Sequence, residues 1–90
     1  MTRDELVESP EYWLADVQMR LCACAEDFMG SHGVDADSLA AHLGTSRRTV
    51  SRLLNLDYDQ ALSRLVRHAL AMGYAPIIKF RPIEQVKKSV

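Results

Sequence analysis

Three arginines stand close together in the stretch Asp35–Asn55, DADSLAAHLGTSRRTVSRLLN. A helix capped by Ser46 would carry Val50, Leu53 and Leu54 on one face and leave Arg47, Arg48 and Arg52 on the other. A guanidinium can donate two parallel hydrogen bonds to O6 and N7 of guanine, or one charged bond to a phosphate. A short arginine-bearing helix of this kind suits the major groove of duplex DNA. Ser51 lies beside the arginines and is a further candidate for a base contact.

Such a helix needs a scaffold. Upstream, Asp35 can cap a short helix whose Leu39, Ala40 and Leu43 face inward, and Gly44 can end it in a left-handed turn. Ala40 is small enough to let the two helices approach closely. Before this pair, Ser9 and Pro10 mark the start of an amphipathic helix of about twenty residues, with Leu14, Val17, Leu21, Ala25 and Phe28 at helical spacing and an end near Gly30. Trp13 borders that stripe. After the pair, Asp57 or Asp59 is expected to cap a helix carrying Leu62, Leu65, Val66, Ala69 and Leu70, ended by Gly73. Residues 75–83, APIIKFRPI, are β-branched, aromatic and bounded by prolines, and predict one short strand.

The block SLAAHLGTSRRTVSRLLN, within roughly residues 34–70, resembles the helix-turn-helix of the Cro/C1-type (XRE) repressors. The order of elements is similar to small plasmid, phage and antitoxin-like members. The resemblance implies a mainly α fold: a four- to five-helix lambda-repressor-like bundle with a C-terminal β-strand used in dimerisation. It implies base contacts from Arg47, Arg48 and Arg52, and backbone contacts from Thr45, Ser46, Thr49 and Asn55. One position departs from the family. Ala36 stands where a glutamine often bridges phosphate and recognition helix, and Asp35 and Asp37 would repel the same backbone unless their place at the helix N-terminus turns them away.

The expected organisation is a flexible leader (1–8), a helical domain (9–73, with the motif at 35–55) and a strand with tail (74–90). A lone strand has no partner within its own chain, so the expectation is antiparallel pairing with a second copy through Ile77, Ile78, Lys79, Phe80 and Arg81. Pro76 and Pro82 share one parity, so the odd-numbered edge keeps its donors, and Ile78 and Phe80 would together cover the helical core.

Composition agrees with one small domain. The 90 residues are 48% apolar and 26% charged, and the net charge of −1 hides an asymmetry. Residues 1–45 hold nine acids and two bases, whereas residues 46–90 hold three acids and nine bases. The polar, acidic start predicts no signal peptide, and no apolar run approaches the ~18 residues of a membrane span. Cys22 and Cys24 lie about 200° apart on a helix and have no zinc-ligand partners nearby, which fits reduced structural thiols in a cytoplasm. His32 and His42 are expected at the surface and His68 beside its helix stripe, with no serine or carboxylate placed for catalysis. Tyr58 and Tyr74 are expected to pack. The expectation is a cofactor-free, non-enzymatic homodimeric repressor of a palindromic operator. An antitoxin whose acidic leader (Asp4, Glu5, Glu8, Glu11) meets a basic toxin is the alternative, and an interaction module that has lost DNA binding is a third possibility.

Overall fold

The computed structural model describes residues 2–88. Six helices follow one another: α1 Arg3–Val7, α2 Pro10–His32, α3 Ala36–Leu43, α4 Arg47–Leu54, α5 Leu62–Ala71 and α6 Ile83–Lys88. The fold is mainly helical, and no strand forms among the described residues. Met1, Ser89 and Val90, the ends of the expected leader and tail, lie outside them.

Helix boundaries follow local chemistry. Pro10 opens α2, where a missing N–H costs nothing, and the Ser9 hydroxyl donates to Glu11 at 2.8 Å, which holds that carboxyl below its ordinary pKa. Gly33 and Gly44, both left-handed, end α2 and α3. After Gly44 the Thr45 N–H reaches back to the Ala40 carbonyl at 3.0 Å. The end of α4 uses the same closure with a leucine. Leu56 sits at φ 60°, and the Asp57 N–H donates to the Arg52 carbonyl at 2.8 Å.

The C-terminal half of α2 packs with α3, α4 and α5 around one core. Leu39, Val50 and Leu53 are its fully enclosed side chains, surrounded by Leu21, Ala25, Phe28, Leu43, Tyr58, Ala69 and Met72. Each enclosed leucine or valine contributes about 1.5–3 kcal/mol by leaving water. Phe28 lies between two imidazoles, His32 at 4.1 Å and His42 at 4.8 Å between ring centroids. The His42 Nε2–H donates to the Ala71 carbonyl at 2.6 Å and ties α3 to α5. Cys22 is buried beside Leu54, Cys24 is half-buried, and both thiols are free, with burial pushing their pKa values up. Tyr58 packs as expected, whereas Tyr74 is exposed.

Several expectations are corrected. The expected leader contains α1, capped by Thr2, with Val7 buried. The Trp13 indole donates to the Val7 carbonyl at 2.7 Å, and Arg3 donates to the carbonyls of Val86 and Lys87, so α1 rests on α2 and α6. The expected tail contains α6, anchored by the Lys87–Glu8 ion pair. Helix α2 runs through Gly30, and α5 begins after Ala61 with no carboxylate cap from Asp57 or Asp59. The stretch 75–82 is irregular, and Ile78 and Phe80 do not cover the core. Tyr58, Ala69 and Met72 already close it, and the segment runs instead beside the first half of α2.

That first half of α2 leaves the core behind. Leu14 and Val17, expected to face inward, are exposed, as are Tyr12, Trp13 and Met19. The particle measures 42 × 23 × 23 Å with a radius of gyration of 15.0 Å, against the ~12 Å of a compact chain of this length.

One buried polar pair lies within the core. The Tyr58 hydroxyl meets His68 Nδ1 at 2.6 Å. Burial, and then the Arg67 and Arg64 charges, hold the His68 pKa below its ordinary 6.5. The unfolded chain therefore takes up a proton at a higher pH than the folded one, so stability is full above about 6.5 and is lost as the pH falls through the lower folded value. The urea midpoint is expected to drop on going from about pH 7 to about pH 5.5, and to drop less in a His68→Gln variant. Equal slopes in the two proteins would remove His68 as the cause.

Candidate nucleic-acid interface

Helices α3 and α4 are joined by the three-residue turn 44–46 and pack against each other. Asp35 caps α3 by accepting the Ser38 N–H at 2.9 Å, and this bond keeps its carboxyl below the ordinary carboxylate pKa. Ser46 caps α4 by accepting the Thr49 N–H at 3.2 Å, and its hydroxyl also meets the Thr49 hydroxyl at 3.1 Å. Eight residues are too few for a stable isolated helix, so burial of Val50 and Leu53 holds α4 in place.

The opposite side of α4 faces water. At about 100° per residue, Arg47, Ser51, Arg48 and Arg52 fall within an arc of roughly 140°. All four are exposed, and α4 carries no acid. Arg48 and Arg52 have no carboxylate within ion-pair distance among the described residues. Arg47 is different: its Nη1 contacts Asp37 Oδ1 at 2.8 Å across the turn. Asp37 thus neutralises one of the three expected readers, and Asp35 is occupied as a cap.

The remaining expected contact residues are divided. Thr45 and Thr49 are half-buried at the N-terminal end of α4, and Ser46 is exposed there. Asn55 is exposed at the far end, and its side-chain amide donates to the Ser51 carbonyl at 2.8 Å. The residues Ile77, Ile78, Lys79, Phe80 and Arg81, expected to pair with a second copy, are all exposed. They belong to a separate surface beside the first half of α2. There, Trp13, Val17, Phe80 and Ile83 line an apolar groove of about 650 Å³ rimmed by Arg20 and Arg81.

The Arg47–Asp37 pair has no local signature in the sequence beyond a carboxylate at the start of α3 and an arginine at the start of α4, ten positions apart. Arg64 and Arg67 of α5 also come beside the turn, where they line a small concavity with Gly44, Thr45 and His68, a placement that no local pattern signals. Among the described residues, no group of three His, Cys, Asp or Glu side chains could hold a metal ion, and no helix is long and apolar enough to cross a membrane. No protein-family model, curated protein or solved structure matches the chain.

Proposed function

We propose that this chain is a sequence-specific DNA-binding repressor that lays α4 in the major groove and acts as a homodimer. The observation that carries this reading is the arc Arg48–Ser51–Arg52. It has two guanidinium groups free of carboxylate partners, no acid on its helix, and a buried underside that fixes its position. Arg48 and Arg52 would contact base edges with Ser51 between them. Thr45, Ser46, Thr49 and Asn55 would contact the flanking phosphates. Repression would follow from occlusion: a dimer bound over a promoter keeps polymerase away.

The dimer contact is assigned to the apolar surface of α2 and the segment before α6. Phe80 is 94% exposed and Ile77 80% exposed, an unfavourable state for an isolated chain. A second copy is the occupant that fits best. The same end of the molecule carries acidic Asp4 and Glu5 on α1 and basic Lys79 and Arg81, all exposed, so a two-fold contact can set one sign against the other. Two recognition helices held together also read a longer site than one.

The DNA reading is tested by selecting bound sequences from random duplexes. A two-fold symmetric site is expected, with affinity falling steeply as salt rises. Arg48→Ala should cost about 1–3 kcal/mol on the selected site and much less on random duplex. No enrichment over random sequence would overturn the reading. Asp37→Asn releases Arg47 and removes a charge near the phosphates, so it should tighten binding to any duplex; unchanged affinity would show that the ion pair does not restrain Arg47. For assembly, Phe80→Asp should move the protein from dimer to monomer in sedimentation equilibrium. A variant as dimeric as the parent would place the contact elsewhere.

A further inference from the structure

Between the α3–α4 turn and α5 lies a polar concavity of about 130 Å³, lined by Gly44, Thr45, Arg64, Arg67 and His68. Arg64 and Arg67 are exposed at its edge. Neither has a carboxylate partner among the described residues; Arg64 is held only by Gln60 Oε1 at 3.3 Å. His68, only 4% exposed, forms part of the wall. Its Nδ1 is occupied by the Tyr58 hydroxyl at 2.6 Å. A phenol is the better donor of that pair, which leaves the hydrogen of the neutral ring on Nε2. Two arginines, a threonine and a histidine thus line one concavity, with no carboxylate residue in its lining.

We propose that this concavity binds a phosphate oxyanion, with Arg64 and Arg67 as its charged donors and Thr45 and His68 as its neutral ones. Fork-shaped guanidinium groups match the oxygens of a phosphate, and charge-assisted bonds of this type are about twice as strong as neutral ones. Thr45 adjoins Ser46, the cap of α4, so a phosphate here would lie beside the N-terminal end of the proposed recognition helix. A phosphodiester of the DNA backbone is one source of the oxyanion, and that source alone rests on the DNA-binding reading. A free phosphate or phosphorylated small molecule is the other.

Two measurements test the site and separate its sources. In the first, inorganic phosphate is titrated into isotope-labelled protein, with chloride at matched ionic strength as the control. Saturable shifts are expected at the Gly44 and Thr45 amides and the His68 ring, and should be lost in an Arg64→Gln/Arg67→Gln variant. Both arginines are exposed, so the variant should keep the circular dichroism of the parent. In the second, the salt dependence of duplex binding is compared between parent and variant. A backbone contact should flatten the log–log slope by roughly 0.9 for each phosphate lost, and weaken specific and random duplexes alike. Phosphate shifts with an unchanged slope, or in a protein that binds no duplex, would assign the site to free phosphate. A flattened slope would assign it to DNA, with or without the shifts. If phosphate produces no saturable shifts and the slope is unchanged, the proposal is overturned.

Discussion

Helices α3 and α4 each have eight residues, and neither length is self-sustaining in water. The arrangement therefore depends on enclosing Leu39, Val50 and Leu53 against the second half of α2. Gly44 permits the abrupt change of direction this requires, because its φ of 67° would be strained for other residues. Burial of one side of α4 also decides what its other side presents. Once Val50 and Leu53 are enclosed, the helical period puts Arg48, Ser51 and Arg52 in water together. Packing and surface chemistry are set by the same few turns of chain.

Much of this region was legible in the sequence because its determinants are local. Asp35, Gly44 and Ser46 act within three or four residues of themselves, and the apolar positions of α3 and α4 repeat at the helical period. The Arg47–Asp37 pair was harder to foresee, since it forms only after the turn brings two helix starts together. The same holds for the Tyr58–His68 bond and for the approach of α5 to the turn. These contacts follow from tertiary placement, which a periodic pattern does not encode.

The two ends show the opposite case. Helix α1 has a local signal in Thr2 and Glu5, whose backbone N–H is accepted by the threonine hydroxyl at 3.2 Å. At five residues it persists only because Arg3, Val7 and Glu8 engage α2 and α6. In the stretch 75–82, β-branched and aromatic residues suggested a strand, but propensity without a neighbouring strand makes no ladder within one chain. The apolar stripe of α2 misled in another way. Its spacing described a helix correctly from Leu14 to Phe28, yet the core begins only at Leu21. Periodicity reports which residues share a face and leaves open what that face meets.

The length of α2 has a geometric consequence for the proposed dimer. Its 23 residues run about 34 Å, with the core and α4 on the second half and the exposed aromatic cluster on the first. If two copies join at the aromatic end as proposed, the helix would act as a ruler that sets the distance between their two α4 helices. Each residue added or removed between Trp13 and Leu21 would change that distance by about 1.5 Å per copy and rotate one end against the other by about 100°. Small insertions would spoil the phase before they spoiled the span. Removing seven residues, close to two full turns, would nearly restore the phase while drawing each α4 inward by about 10 Å. Operator spacing would then be a property of helical pitch, written in a segment that touches no base.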